Sequence, residues 1–376
     1  MAEIEIGIGK SGRRAYGLDE VAIVPSRRTR DPEDVDLGWE LDAYRFEVPV
    51  LGAPCDSVTS PATAVALGEL GAAGVLHLEG LWTRHEDAEE RLAELAELPD
   101  GDEAARRLQD LHAAPVVPEL VAERVAEIRK AGVTCAVAVS PQRTEALVEH
   151  VLRAEPDLLM ICGTVVSAEH VSSSVDPLNL KSFIRRFELP VIVGGCTSYQ
   201  AALHLMRTGA AGVLVGAGSG TAGTTANVLG IGVPSATAIV DARAARMRHL
   251  DETGVNCHVI ADGGMATGGD IAKAIVCGAD AVLLGTALAR AEEAPGRGWH
   301  WGMPAVHPTL PGGRRVRTEA VGTLTEVLFG PAHEAGGERN LMGALRQAMA
   351  LTGYATVKEL RKAELVVVTP PCPAVE

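Results

Sequence analysis

The sequence contains few aromatic residues and no concentrated positive charge. Phe, Trp and Tyr together make up 3% of its 376 residues, which argues against a surface that stacks bases or sugars. The formal net charge is −15 at pH 7, and the basic run Arg27, Arg28 and Arg30 is too short to offset it. Because an anionic protein repels a phosphate backbone, we expect no nucleic-acid partner.

Long apolar runs and paired cysteines are also missing. No apolar stretch approaches the ~20 residues of a membrane span, and the start, MAEIEIGIGKSGRR, lacks an apolar signal core. We therefore expect a soluble, cytoplasmic protein with no membrane partner. The seven cysteines are scattered singly, without a CxxC. Neither a disulfide framework nor a metal site is indicated, and reduced thiols are expected.

Short β-branched or leucine-rich runs recur through most of the chain. Segments of helical periodicity separate them, such as SYQAALHLMRTGAAG and TGGDIAKAIVCGADA, and a glycine stops each helix. Apolar runs that alternate with helices are typical of parallel strands buried on both faces. Eight such runs predict a single α/β domain, a (β/α)₈ TIM barrel whose active site lies at the carboxyl ends of the strands. The predicted strands are Val48 to Ala53, Gly74 to Leu78, Thr134 to Ser140, Asp157 to Gly163, Pro190 to Gly195, Gly212 to Gly216, His258 to Gly264 and Ala281 to Thr286.

Two segments interrupt the regular spacing of this single domain, which we expect to span residues 1–376 with its barrel core at about 45–300. Residues 84–115 are charged and predict a solvated helical insert, too short to form a domain. Residues 297–376 form a C-terminal loop and tail. Within them, the Gly-, Pro-, Trp- and His-rich part up to Val316 follows the eighth strand, where barrels keep a substrate loop. The end, LVVVTPPCPAVE, predicts a terminal strand or arm followed by disorder.

The stretch GSGTAGTTANVLGIGVP, from Gly218 to Pro234, contains a complete GxGxxG directly behind an apolar run. A dinucleotide-binding turn would follow the first strand of its domain and enter a helix at once. Here the motif follows the sixth predicted strand, and a predicted loop, Asn227 to Val233, precedes the next helical segment. A substrate loop of the barrel is the favoured interpretation.

The ends of the last two predicted strands favour a phosphate site. The seventh strand ends in ADGG (Ala261 to Gly264) and the eighth in LLGT (Leu283 to Thr286), each expected to lead into a helix. Glycines let backbone N–H groups approach an anion, and the loops after strands seven and eight commonly bind phosphate in these barrels. Asp262 is placed to accept hydrogen bonds from a ribose diol; the alternative is that it caps the following helix.

Several ordered blocks resemble one known family. They are GLDEVAIVP, PVLGAPCDSVT, VGAGSGTAGTTANVLGIGVP, VIADGGMATGGDIAKAIVCGADAVLLGTALARAEEAPG and WGM. Together they resemble the IMP dehydrogenase / GMP reductase family from about Gly17 to Met303, and most closely its branch without CBS domains. The paired CBS domains of other members would be inserted after the second strand, where this chain has the short helical segment.

The resemblance assigns roles to individual positions. Asp262 matches the ribose-binding aspartate, and Gly302 with Met303 matches backbone contacts to the purine. Thr225 and Glu293 match catalytic positions, Glu293 being the glutamate that in the reductases helps activate the amine. The positions that match phosphate contacts are Thr221, Gly264, Gly285 and Thr286, with Gly263 in the same turn.

The chain departs from the family where the chemistry takes place. Family members carry a nucleophilic cysteine in a loop like GSICTT, and here GTAGTT places Gly223 at that position. Cys55, Cys162 and Cys196 replace a methionine, an aspartate that helps hold the dinucleotide, and an asparagine. All three come at the carboxyl ends of predicted strands, and we expect them to face the same mouth of the barrel. With Cys162, the resemblance places Gly163 and Thr164 at the cofactor. An arginine–tyrosine pair on a mobile flap is not recognisable between Trp299 and Val321.

Two functions therefore stay open. The resemblance implies a cytoplasmic oxidoreductase of purine nucleotide metabolism, acting on a purine nucleoside 5′-monophosphate with NAD or NADP, with the reductase direction favoured. It also implies a homo-oligomer, commonly a tetramer, and a K⁺ requirement. A substitute thiol, Cys55 or Cys196, would be needed because glycine cannot act as the nucleophile. The alternative is a catalytically silent regulatory protein that binds the nucleotide.

Overall fold

A closed barrel of eight parallel strands forms the centre of the protein. The computed structural model describes residues 3–173, 177–303 and 314–368. The strands pair in chain order, and the eighth pairs with the first through Val282–Val50 and Leu283–Leu51. The prediction of a (β/α)₈ barrel is confirmed, with strand ends within a few residues of the predicted runs. The strands are β1 Val50–Gly52, β2 Ala73–His77, β3 Ala136–Val139, β4 Leu158–Cys162, β5 Val191–Cys196, β6 Gly212–Val215, β7 His258–Asp262 and β8 Ala281–Leu284.

Helices surround the barrel, and short strands lie outside it. The segment predicted as a helical insert contains α2 and α3. The helices are α1 Pro61–Glu69, α2 Ala88–Glu97, α3 Asp102–Ala113, α4 Pro118–Lys130, α5 Thr144–Ala154, α6 Leu180–Ile184, α7 Tyr199–Met206, α8 Thr225–Leu229, α9 Ser235–Thr253, α10 Gly268–Cys277, α11 Thr286–Ala289, α12 Leu324–Phe329, α13 Leu341–Thr352 and α14 Val357–Leu360, with 3₁₀ turns at Pro32–Asp34 and Leu81–Thr83. The outer strand pairs are Glu3–Gly7 with Lys10–Arg13, Val21–Ile23 with Leu365–Val367, Trp39–Leu41 with Tyr44–Phe46, and Trp299–His300 with Val316–Arg317.

The barrel interior is a packed core that is closed at its amino end. Alternate strand residues such as Leu51, Met160 and Leu283 fill it, while the others pack against the helices. Trp39 stacks on Phe46 at 5.0 Å and its indole N–H donates to the carbonyl of Val48, just before β1. The carboxyl ends of the strands are therefore the end at which a ligand site can form.

Three local expectations are revised or completed. Part of the loop predicted at Asn227 to Val233 belongs to α8, a single turn too short to give a periodic signal. Helix α10 does not follow ADGG directly: Gly263 and Gly264 have φ of +79° and +77°, and the helix begins at Gly268, where Thr267 forms a capping box. The predicted terminal strand is present as Leu365–Val367, and residues 369–376 lie outside the described part of the chain.

Within the described ranges, no helix is long and apolar enough to cross a membrane. The same residues contain no group of three or more His, Cys, Asp and Glu side chains arranged to hold a metal ion. The described cysteines are all free thiols; Cys372 lies outside them.

Candidate functional site

The loops after β6, β7 and β8 meet at one place on the rim. The Ser219 hydroxyl donates to the carbonyl of Asp262 at 2.8 Å, which joins the first two loops. The Thr286 hydroxyl donates to that of Thr221 at 3.2 Å, which joins the third loop to the first. These contacts bring together the loops that carry the predicted phosphate residues, including Gly264 and Gly285.

The turn after β7 requires glycine. With positive φ at Gly263 and Gly264, a side chain would strain the backbone at both positions. At Gly263 a Cβ would also lie 2.5 Å from the Ser219 hydroxyl and 2.9 Å from the amide nitrogen of Gly220. The loops after β6 and β7 therefore approach each other with only backbone and the Ser219 side chain between them. Such closely packed glycine turns leave backbone N–H groups free to face an anion.

Asp262 is half-buried at the end of β7 and has no charged partner. Among the described residues no donor reaches its carboxylate, and burial raises the pKa of Asp262 to about 6. It does not cap α10, because Thr267 is the N-cap of that helix and Asp270 completes the capping box. The alternative role considered for Asp262 is thereby removed, and its carboxylate faces the mouth with its acceptors unpaired.

Gly223, at the family's cysteine position, has no room for a side chain. Its N–H donates to the carbonyl of Gly220 at 2.8 Å. A Cβ built at Gly223 would overlap the carbonyl oxygen of Gly218 and would lie 2.7 Å from the carbonyl carbon of the same residue. These are backbone atoms, so a side chain at 223 requires the loop to change shape. A Cβ at Gly220, by contrast, meets nothing within 4 Å.

The two predicted catalytic residues have structural partners. Thr225 is buried as the first residue of α8, and its side chain fills the space beside Gly218. The exposed Glu293 accepts the N–H of Leu324 at 2.8 Å, at the first residue of α12. A carboxylate at a helix N-terminus is stabilising. Both positions are thus explained by packing and hydrogen bonding as the structure stands.

Two of the three replacement thiols meet at Met303. Cys162 Sγ lies 3.7 Å from Met303 Sδ. The backbone of Met303 is near enough to Cys55 to lower the pKa of that thiol slightly, against the larger effect of burial. Burial, followed by the negative charge of Asp262, raises the pKa of both thiols above the ordinary range. A nucleophilic cysteine needs the opposite surroundings, a cation or a helix N-terminus that lowers the pKa.

Cys196 does not reach the barrel mouth. Its side chain lies in the outer core layer, its thiol donates to the carbonyl of Leu214 at 3.3 Å, and burial raises its pKa to about 12. The expectation that all three cysteines face one mouth is therefore wrong for Cys196, because its position on β5 points it toward the helices.

The predicted dinucleotide contacts lie at the end of β4. Gly163 donates to the carbonyl of Gly194 and accepts from the N–H of Gly195, both at 3.0 Å. Its backbone polar groups therefore close the rim between β4 and β5. Thr164 is exposed, and Cys162 points into the barrel core. At this position the chain has a thiol where the resemblance implies an aspartate.

Two further residues border the candidate phosphate site. His300 is 4% exposed, its Nδ1 lies 3.0 Å from the Ser57 hydroxyl, and ring atoms lie 3.4 Å from the Cβ position of Gly285. Burial lowers the pKa of His300 to about 4, so its ring is neutral at pH 7. Arg314 donates through Nε to the carbonyl of Thr221 at 3.3 Å. Both belong to the predicted substrate loop, but no residue pattern singled them out.

Gly302 and Met303 end the described part of this loop. Gly302 has open space around its Cα, and Met303 contacts Cys162 at the mouth. The arginine–tyrosine pair of the family's flap would lie between Trp299 and Val321. Residues 304–313 of that range lie outside the described residues.

Comparison with known proteins identifies the family. A model of the IMP dehydrogenase / GMP reductase domain matches residues 15–302. Uncharacterized oxidoreductases of Mycolicibacterium smegmatis and Mycobacterium tuberculosis are 52% and 53% identical to the chain, each covering 97% of this chain and 99% of the relative. Inosine-5′-monophosphate dehydrogenase of Haemophilus influenzae is 33% identical over 69% of this chain and 54% of that protein.

A solved structure is similar over almost the whole chain. The crystal structure of an IMP dehydrogenase/GMP reductase-like protein from Corynebacterium glutamicum has a TM-score of 0.92 and 46% identity, and the match covers 97% of this chain and 98% of the other. Since the domain match alone spans more than half of the sequence, the chain belongs to the IMP dehydrogenase / GMP reductase family of oxidoreductases.

Proposed function

We propose that the protein binds a purine nucleoside 5′-monophosphate at the rim formed by the loops after β6, β7 and β8. The observation that carries the proposal is the convergence of these loops around Asp262. The half-buried carboxylate suits a ribose diol, and Gly264, Gly285 and Thr286 with Thr221 suit the phosphate. The purine would then lie toward Gly302 and Met303.

The loop around Gly223 supports binding without the family's thiolate chemistry. The family reaction adds a thiolate to the purine, and glycine cannot supply it. Deleting a catalytic nucleophile elsewhere has cost about a millionfold in rate. Because the loop backbone fills the space that a cysteine side chain needs, a catalytically silent nucleotide-binding protein is the function that this geometry supports best.

The second candidate is an NAD(P)-dependent oxidoreductase in the reductase direction. It is favoured by the presence of Thr225 and Glu293 at the aligned positions and by the oxidoreductase names of the relatives. Cys55 would be its substitute thiol, and a K⁺ requirement belongs to this candidate. The residues at the end of β4 do not fit a nicotinamide dinucleotide, because Gly163 is engaged in the rim and Cys162 replaces the carboxylate.

The ligand and the activity are tested together by thermal shift with GMP, IMP and XMP and by NAD(P)H absorbance with the same nucleotides. We expect stabilisation by a monophosphate and no turnover. Turnover would support the second candidate. No stabilisation by any of the three nucleotides would overturn the proposed ligand.

We also propose that the protein forms a homo-oligomer, such as the tetramer that the family resemblance implies. Its proposed location is the cytoplasm. Apolar side chains exposed on α9 (Val240, Met247) and on the N-terminal hairpin (Ile4, Ile6) support a surface that another subunit covers. Light scattering that returns the monomer mass of 39.2 kDa would contradict the oligomer.

A further inference from the structure

Helix α2 of the insert holds the strand pair that leads to Met303. Trp299 donates its indole N–H to the carbonyl of Ala96 at 3.0 Å. Arg315, which immediately precedes the partner strand Val316–Arg317, donates to the carbonyls of Leu98 at 3.0 Å and Leu95 at 2.8 Å. These carbonyls lie at the end of α2, where, among the described residues, only that of Leu95 also accepts from the backbone, from the N–H of the cap residue Leu98 at 3.2 Å. A cation is favoured at such a helix end.

Arg315 also joins the two strands of this pair. Its guanidinium lies 3.8 Å from the centre of the Trp299 ring, and the residue is 9% exposed. A planar guanidinium can stack on an indole and donate to several carbonyls at once, which a lysine cannot do. The other contact between α2 and this region, Arg297 with Glu89 at 3.2 Å, is exposed and contributes little.

Helix α3 of the insert contacts the loop after β1. His112 Nδ1 lies 2.9 Å from the carbonyl of Leu108, and His112 Nε2 lies 2.9 Å from Asp56. The ring of His112 is thereby held from both of its nitrogens, between its own helix and the loop after β1. Asp56, 3% exposed, also accepts the N–H of Leu81 at 2.9 Å and is thereby fixed. Ser57, the next residue of this loop, accepts the N–H of Trp301 at 3.2 Å, two residues before Met303.

We propose that the helical insert, α2 with α3, is a positioning element of the ligand site, with Arg315 and His112 as its positioning residues. Two of the elements beside Met303, the loop after β1 and the Trp299–Met303 segment, are held by the insert; the third, β4, contacts Met303 through Cys162. The inference rests on the proposed function in taking Met303 as the wall of the purine subsite. Asp262, Gly264 and Gly285 lie outside these contacts, but His300 and Arg314, which border the phosphate site, are the chain neighbours of Trp299 and Arg315.

The test compares a whole nucleotide with its sugar phosphate. Calorimetric titration of Arg315→Met with GMP and with ribose 5-phosphate should raise the Kd for GMP at least about tenfold and that for ribose 5-phosphate by less than about threefold. The smaller effect is transmitted through Arg314, the chain neighbour of Arg315 at the phosphate site. His112→Phe should act in the same direction, and Arg315→Lys should recover only part of the affinity. Arg317→Met, on the same strand but exposed, is the matched control and should change neither Kd.

Equal weakening of both ligands by Arg315→Met, or an unchanged Kd for GMP, would overturn the positioning role. If Arg315→Met does not fold, His112→Phe carries the test. If the wild-type protein binds neither ligand, the proposed function fails, and hydrogen exchange of residues 299–303 decides this inference separately. We expect exchange there at least about tenfold faster in Arg315→Met than in Arg317→Met; equal rates would overturn the proposal.

Discussion

At the scale of single residues, the shape of the β6 loop decides what position 223 can hold. The Gly218 carbonyl occupies the place of a Cβ at 223, whereas position 220 is open. Cysteine at 223 must displace backbone, and forced changes of this kind cost about 1–3 kcal/mol.

We therefore expect Gly223→Cys to lower the free energy of unfolding by about 1–3 kcal/mol and to gain no NADPH-dependent turnover of GMP. Gly220→Cys is the matched control, with a near-neutral effect on stability. Urea unfolding and NADPH absorbance measure both quantities. Turnover by Gly223→Cys well above that of the wild type would show that the loop readily accepts the thiol.

Under the proposed function, Asp262 would link ligand binding to stability through its raised pKa. Its pKa is about 6 in the folded protein and 3.8 without burial, so the folded state holds the proton more tightly. The free energy of unfolding should then fall as pH rises from about 4 to about 6, because the ionised form is disfavoured when folded.

At pH 7.5 we expect Asp262→Asn to stabilise the free protein by about 1–2 kcal/mol, allowing for the partial exposure of the carboxylate, and to lose nucleotide binding. In the wild type, nucleotide affinity should fall as pH drops through 6, because a protonated carboxyl accepts the ribose diol less well. Denaturant unfolding and titration at several pH values measure both effects. A destabilised Asp262→Asn with normal affinity would exclude this role.

Single residues were predictable where their role depends on the local chain. Asp262 and the glycines after it follow from the end of one strand and the turn that succeeds it. The surroundings of Glu293 and Cys196 could not be predicted, because they depend on how distant segments pack. Glu293 contacts a helix about thirty residues further on. Cys196 faces the helices rather than the mouth of the barrel. His300 and Arg314 depend in the same way on a loop folding back over the rim.

At the scale of elements, one carboxylate joins three parts of the amino end of the barrel. Asp280, just before β8, accepts from Arg246 of α9 at 2.7 Å, from Arg361 after α14, and from the N–H of Val259 in β7 at 2.8 Å. Arg246 and Asp280 side chains are only 6% and 9% exposed. Removing one member of a buried pair leaves the other charge unpaired, which costs about 3–5 kcal/mol.

Asp280→Asn should therefore lower the free energy of unfolding by about 2–4 kcal/mol, since the amide still accepts from Val259 but no longer balances two guanidiniums. Nucleotide affinity should be unchanged, because this network lies at the opposite end of the barrel. Asp251→Asn, exposed near the end of α9, is the control and should stay within about 0.5 kcal/mol. A similar small loss for both variants in urea unfolding would contradict the network's role.

Elements were predictable where hydrophobic period and glycine stops agree. The eight buried runs and the long helix that ends at Gly254 are of this kind. The start of α10 could not be predicted, because two glycines with positive φ and the Thr267 cap place the start of the helix beyond ADGG. The sequence predicts helices in the insert, but the docking of α2 on Arg315 and Trp299 depends on contacts about two hundred residues apart.

At the scale of the whole molecule, the closed barrel and the side chains that cover its amino end determine where a ligand can bind. The Trp39–Phe46 stack closes the amino end, and Asp262 and Gly285 lie on neighbouring strands at the other end. Anion recognition there must come from local backbone groups and Arg314, because the protein as a whole carries −15. The family match accounts for the fold, whereas Gly223 and the thiols beside Met303 depart from the catalytic pattern that the family resemblance implies.

The most direct test of this account is calorimetric titration of the intact wild-type protein with GMP and IMP, in parallel with guanosine and inosine. If the rim binds a phosphate and Asp262 the ribose, the monophosphates should bind at least about 100-fold more tightly than the nucleosides, a difference of about 2.7 kcal/mol. Equal affinity for nucleosides and monophosphates, or no heat of binding with any of the four, would contradict the account.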